Sequence, residues 1–445
     1  MSLIRNYQIE NNLQSSDKKF WAAIIIFVFF LVLRRSAAYF GIPPLYGGEI
    51  TIILFAVLFL RSDKLIEFCN NPYGLASLIF AALPLPYIIF HYRYSGTESI
   101  MYSSAAYYAV FIYFGYTIIS TTEKQKIFID VLYYAILLSN IHFLVSSIIP
   151  LTEMPPFING VSLFGHTDSC YIYFGVGIAY ALIFSHKIGL IKTTALLISS
   201  IIGHIVSTER GSQLGILGVL LTLVIFKEIW FRYNKFSLSL ITLFSGLILV
   251  TGIIIAPKNA SVQKVTLQLD LMASIFSRSP HVIRAGTKEH RLQMWKEIIE
   301  NTLEKNPVIG QGVKSQLIDV SFKNPHNSFV TIYGRFGIPG LVLSIIIYFA
   351  MPVRNMIILK HSADPRLQQI MLLYLCFVPA FMGAVLFGPT LESPFSALAC
   401  NFIYGASLRC FDIALYESQA PAVVCCHQMA GQIPNCRWFY QSAQR

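Results

Sequence analysis

Five residues have the chemistry to act on a phosphorylated or hydroxyl-bearing substrate: Arg210, Arg284, Arg291, Arg335 and His326. Arg210 sits in Ser207-Thr208-Glu209-Arg210-Gly211, between two apolar stretches. A guanidinium at a helix N-terminus matches a phosphate in shape and charge, and the helix dipole adds to the attraction. The competing reading is a surface pair with Glu209 or a side chain snorkelling to an interface. Arg291 has Arg284, Lys288 and Lys296 close in sequence. Such a cationic group binds a diphosphate or, equally well, anionic lipid headgroups. His326, in Asn324-Pro325-His326-Asn327, can take a proton near neutral pH, as the deprotonation of a sugar hydroxyl requires; the alternative is a polar loop residue. Asn327 could orient that ring or a substrate. Arg335 falls inside an apolar run, where a charge is a functional hypothesis by default. It offers a further phosphate contact or pairs with Glu209 or Glu392.

All but Arg210 belong to or border the one long polar interval of the chain, Gly286 to Gly340. Its first half predicts an amphipathic helix. Leu292, Trp295, Ile298, Ile299, Thr302 and Leu303 recur at helical spacing, and Thr287 is placed to cap the start. Asn306-Pro307 ends it, because proline pushes the preceding residue out of helical geometry. Gly310-Gln311-Gly312 predicts a loop, and His326-Asn327 stands just before the next apolar run. Further upstream, His166 and Asp168 lead into another apolar stretch, where capping is the favoured role and substrate contact the other. Arg34, Arg35 and Arg93 are weaker cationic candidates. The carboxylates of the interval (Asp270, Glu289, Glu297, Glu300, Glu304 and Asp319) read as a solvated face, without the opposed pair a glycosidase uses.

Hydrophobic residues make up 55% of the chain and charged ones 12%, against roughly 25% charged in a soluble domain. The fold class expected is all-α: a polytopic membrane protein of about twelve helices with one long outward-facing loop that carries the amphipathic helix. With about 20 apolar residues per span as the yardstick, the spans lie near 20–34, 48–60, 73–91, 100–120, 127–150, 169–185, 188–206, 212–226, 236–256, 334–353, 369–388 and 394–415. The first reads as an uncleaved span rather than a signal peptide. The organisation is thus a cytoplasmic N-terminus (1–19), spans one to nine (20–256), the large loop (257–327), spans ten to twelve (328–415) and a cytoplasmic tail (416–445) without clear periodicity.

The net charge of +11 does not signal nucleic acid, because the basic residues sort by side. Arg5, Lys18, Lys19, Arg61, Lys64, Lys124, Lys126, Lys187, Lys192, Lys227, Arg232, Lys235, Arg354, Lys360, Arg366, Arg409, Arg437 and Arg445 fall in one set of loops and termini, which places those loops inside and the 257–327 segment outside. The eight cysteines show neither a C-x-x-C pair nor zinc-type spacing, so no metal site is expected and most read as unpaired thiols.

In order and spacing, Arg291 four residues before Trp295, NPVIGQG at 306–312, His326-Asn327 and GRFGIPG at 334–340 resemble the signature of the O-antigen ligase and polymerase superfamily. STERGSQL at 207–214 is similar to that family's Ser/Arg-Gly motif, and FGHTDSCYIYFG at 164–175 to a looser one. The resemblance spans roughly residues 160–350. It departs from the family at Arg335, where an acidic residue is commoner. It implies a bacterial inner-membrane, multi-pass glycosyltransferase whose active site faces the periplasm. The donor would be a glycan on undecaprenyl diphosphate, and the acceptor the lipid A core or a growing glycan. Partners would also include membrane lipid, with no nucleic acid, cofactor or metal. His326, Arg210 and Arg291 would be catalytic, with Arg210, Arg291, Asn327, Arg335 and Arg284 binding substrate. A lipid-glycan flippase or transporter is the alternative of a different class, and a structural subunit a third.

Overall fold

The computed structural model describes residues 2–38, 40–42, 45–148, 171–207, 210–231, 285–313, 327–362 and 364–430. The apolar stretches fold as helices because a chain in lipid must satisfy its backbone polar groups within itself. The N-terminal part consists of α1 (Ser2–Leu33), α2 (Arg35–Ala38), α3 (Gly47–Phe59), α4 (Ser62–Cys69), α5 (Pro72–Ala82) and α6 (Pro84–Ser95). A two-residue antiparallel pairing, β1 (Gly41–Ile42) with β2 (Leu45–Tyr46), turns the chain between α2 and α3. Next come α7 (Glu98–Met101), α8 (Ser104–Tyr107), α9 (Val110–Ile118), α10 (Thr122–Ile148), α11 (Tyr171–Ile188), α12 (Leu190–Ser207), α13 (Arg210–Ile225) and α14 (Lys227–Phe231). The remainder comprises α15 (Ala285–Lys305), α16 (Ser328–Ile345), a π-helical turn (Ile346–Ala350), α17 (Met351–His361), α18 (Pro365–Phe387) and α19 (Pro394–Ala430).

Seven of the described helical stretches are long and apolar enough to cross a membrane, and Gly47–Phe59 and Gly211–Ile225 are apolar but shorter. The count of about twelve is therefore reached only in part. The expected fourth span, 100–120, is broken into α7, α8 and α9, and the ninth, 236–256, lies outside the described residues. The tail also differs from expectation: α19 runs on to Ala430. Ile79, Ile89 and Phe90 are 48%, 76% and 78% exposed, which in water would be an unstable surface and in lipid is an ordinary one.

Local sequence starts several of these helices. Asn71 and Asp364 each precede a proline at the first helical position, and their side chains accept from Tyr73 N at 2.9 Å and Arg366 N at 2.8 Å, the capping expected of Asx-Pro starts. At one end of the bundle Arg354 pairs with Asp412 at 2.6 Å, Asn71 donates to the same carboxylate at 2.8 Å, and Arg409 pairs with Glu67. These are cations expected on the inner side, and they bind helix to helix rather than standing free in a loop. Cys69, Cys376, Cys400 and Cys410 are free thiols.

α13 crosses α18 at close range. Gly211, Gly215 and Gly218 fall on one helical face against Gly383, Ala380 and Pro379, and a Cβ on Gly211 would lie 2.6 Å from Gly383 O. Small residues let membrane helices approach in this way, gaining van der Waals contact where lipid offers no hydrophobic drive. Gly383→Ala, whose Cβ would meet Gly211 O, is expected to destabilise by about 2 kcal/mol. Gly175→Ala, whose neighbours stand 3.3–3.6 Å away, is expected to cost much less. Thermal unfolding of both variants in detergent checks the ranking.

Candidate functional site

The geometry is set by a break in α16. Gly337 has φ 62° and ψ −153° inside the helix, and Pro339 follows it. Proline has no N–H, so the carbonyl four residues back, that of Arg335, loses its helical partner. The break also diverts the Ile338 N–H from Gly334 O. The loop after α15 supplies what is missing. Gln311 N donates to Gly334 O at 2.7 Å, Gly312 N donates to Arg335 O at 3.0 Å, and Ile338 N donates to Pro307 O at 3.0 Å. The two motifs NPVIGQG and GRFGIPG thus complete one another's backbone hydrogen bonding. Gly310 and Gly312 hold φ 72° and 81°, which glycine adopts without penalty. A Cβ on Gly310 would lie 2.5 Å from the Arg335 carbonyl group. Tyr87 of α6 donates to Ile309 O at 2.6 Å, and the His91 ring lies against Gly312.

α15 is held to the same place. Met294 and Ile298 pack on Val330 of α16, with Trp295 alongside. Thr302 Oγ1 donates to Ile298 O at 2.7 Å and accepts from Gln311 Nε2 at 2.9 Å. Two expectations for this helix need correction. It begins at Ala285, so Thr287 lies within it and is not its cap; alanine is a strong helix former and ends shift by a residue or two. The six-residue stripe also divides in two. Its Ile298 and Thr302 are buried, in line with Met294 from outside the stripe, and Trp295 is half-buried, whereas Leu292, Ile299 and Leu303 are 49%, 38% and 55% exposed. At 100° per residue these lie on different lines of the helix, and only the first line faces α16.

Arg335, two turns into α16, is buried at 3% exposure. Its guanidinium lies 4.7 Å from the centroid of the Tyr102 ring, a cation–π contact that gains strength when desolvated. Glu392 acts on it electrostatically, so of the two partners weighed from sequence Glu392 is near it, and Glu209 is outside the described residues. The segment carrying Glu392 is fixed in turn: Ser104 Oγ donates to Glu392 O at 2.9 Å.

Asn327 caps α16. Its Oδ1 accepts from Phe329 N at 3.0 Å and Val330 N at 3.1 Å, which leaves the Nδ2 donor for any second role. Beside it, Ser328 Oγ donates to Gly388 O at 3.3 Å and accepts from Leu391 N at 3.2 Å. A Cβ on Gly388 would meet the Tyr171 hydroxyl at 2.9 Å, and one on Gly211 the Tyr171 ring at 3.3 Å. Through this chain of contacts the first residue of α13, Arg210, and the cap of α16 sit at one end of the bundle. Arg291, half-buried, lies one turn before the Met294–Val330 contact.

His326, Arg284, His166 and Asp168 lie outside the described residues. Arg34 is buried and donates through Nη2 to Ser139 O at 2.7 Å and Ser139 Oγ at 2.6 Å, while Arg93 is exposed. Sequence reading missed Tyr87, His91, Tyr102 and Tyr171. His91 alone carried a signal, as an ionisable group at the end of an apolar run; the tyrosines looked like interfacial anchors.

Gly310→Ala and Gly337→Ala each place a Cβ where the loop and the break meet. Each variant is expected to lower activity at least about tenfold, on the principle that small displacements at a site cost rate steeply. Because both undo one contact, the double variant is expected to be little worse than either single one. A double-mutant cycle on activity at matched membrane expression checks this.

A search among curated proteins finds no match to the chain. Residues 195–345 match the family model described as O-antigen ligase. That interval runs from within α12 to the end of α16 and contains Arg210, Arg291, Asn327, Arg335 and both glycine motifs. Over about a third of its length the chain is thus similar to the O-antigen ligase family, a match that supports its resemblance to the O-antigen ligase and polymerase superfamily.

Proposed function

We propose that the protein transfers a glycan from undecaprenyl diphosphate to a sugar hydroxyl at the periplasmic face of the inner membrane, as an O-antigen ligase or the related polymerase. One observation carries the reading. The start of α13, the cap of α16 and the contact that seats α15 lie at one end of the bundle, inside the segment that matches the family, which supports a shared role for Arg210, Arg291 and His326.

Arg210, with the positive end of α13 behind it, binds the diphosphate together with Arg291. As the sugar–phosphate bond breaks, charge grows on the leaving diphosphate, and fixed guanidinium groups stabilise that charge without reorganising. His326 takes the proton of the acceptor hydroxyl as it attacks the anomeric carbon, and direct displacement inverts that centre. The Asn327 Nδ2 and the Arg284 side chain are further contacts for glycan or phosphate. Arg335, enclosed by Tyr102 and Glu392, contributes a buried positive field beneath the site. Because arginines supply the positive charge, the scheme calls for no metal, and cleavage of the diphosphate linkage drives the reaction without a nucleotide.

The exposed line Leu292, Ile299 and Leu303 fits a helix lying in the lipid interface, where the polyprenyl tail of the donor would run. A ligase passes the glycan to the lipid A core, whereas a polymerase passes it to another lipid-linked unit.

In a host lacking its own ligase, the chain is expected to restore long-chain glycan on lipid A. His326→Ala and Arg210→Ala are each expected to reduce it by about a hundredfold or more, read on a gel at equal expression. Long chains that remain on the carrier lipid would identify a polymerase. Full activity in both variants would overturn the assignment.

A further inference from the structure

At the end of the bundle opposite the candidate site, α10, α11 and α18 enclose a cavity of about 260 Å³. The direction of each helix fixes this placement. Lys126 lies at the start of α10, Lys187 at the close of α11 and Arg366 in the first turn of α18. The far ends of α11 and α18, at Tyr171 and Gly388, are the ones that meet near Ser328.

The rim of the cavity carries Lys126, Lys187 and Arg366 against a single carboxylate, Asp130. Lys126 and Arg366 both repel Lys187, while Asp130 and, from the start of α18, Asp364 attract it. Among the described residues, none of the three cations forms an ion pair with a carboxylate. Three like charges around one concavity are unfavourable, and an anion seated between them would remove the repulsion. The floor is apolar, with Ile129, Phe184 and Ile370 among its lining residues, and the Lys187 ammonium leans over Phe184 at 5.0 Å from the ring centroid. A free phosphate has no use for such a floor. A phosphodiester attached to a hydrocarbon chain uses both halves of the site.

We propose that this cavity binds the headgroup phosphate of an anionic phospholipid, with the glycerol and upper acyl chain resting on the apolar floor. The inference goes beyond the transferase reading and does not depend on it. Basic clusters at the inner membrane edge attract anionic lipid, each cation adding to the affinity; here the cations converge on a shaped cavity between three helices. A lipid held there ties α10 and α11 to α18, the helix whose other end carries Gly383 and Gly388 to the functional site.

The test uses the purified full-length protein in detergent, with phosphatidylglycerol as probe and phosphatidylcholine as the zwitterionic control, bound lipid being counted by native mass spectrometry. Phosphatidylglycerol is expected to be retained in preference to phosphatidylcholine. Combined Lys126→Ala, Lys187→Ala and Arg366→Ala substitution is expected to weaken its binding at least about tenfold. Asp130→Asn, which removes the carboxylate lining the cavity, is expected to strengthen it several-fold, a gain that no folding defect can mimic. Equal retention of the two lipids would overturn the proposal, as would unchanged binding in both variants. The same holds if inorganic phosphate displaces the lipid completely, or if Lys64→Ala, Lys227→Ala and Lys360→Ala together weaken binding as much as the cavity triple.

Discussion

The structure around the site depends on one repair. A helix inside a membrane cannot leave carbonyls unpaired, since each costs several kcal/mol in hydrocarbon. Gly337 and Pro339 nevertheless break α16 and free the carbonyls of Gly334 and Arg335. The loop at 306–313 has amide donors to offer and, through its glycines, a backbone that can come close enough to deliver them. The break and the loop are thus each the condition for the other. α15, which leads into the loop, is seated by the same arrangement through Thr302 and Gln311. Broken helices are also a hallmark of transporters, where the freed groups coordinate a ligand. Here the loop uses them, so this break serves assembly of the site.

The same kink explains how Arg335 can be buried. A charge moved out of water is costly unless it is well partnered. Tyr102 offers the face of its ring and Glu392 an opposing charge. Both come from segments that the bundle brings alongside α16: Tyr102 from the interrupted stretch between α6 and α9, Glu392 from the connection between α18 and α19. Breaking the expected fourth span into short pieces is what allows a tyrosine to face a cation there.

Close glycine packing does the positioning elsewhere. The α13–α18 crossing brings the start of α13 to the end of α18, and Ser328 ties that end to the cap of α16. Arg210 and Asn327 thus stand at helix ends, where dipoles and backbone amides are available, and those ends are held by close backbone contacts.

Much of this was legible in the sequence because it follows from local rules. Apolar length gave the helices, and Asn306-Pro307 ended α15 one residue after Lys305. The motifs around Arg210, Arg291 and Arg335 marked the interval that the family match later covered. Periodicity alone could not say which of the two apolar lines on α15 would be buried, because both repeat at helical spacing and only the position of Val330 chooses between them. Nor could it foresee that GQG and GRFGIPG would share hydrogen bonds, that Tyr102 would face Arg335 or that His91 would lie on Gly312. Those pairings join residues far apart in the chain, and their partners are ordinary in sequence. The sequence by itself determined that the chain is built of apolar helices and which residue types could do chemistry; the tertiary structure decided which of them meet, because contact between distant segments depends on helix crossings that no local pattern encodes.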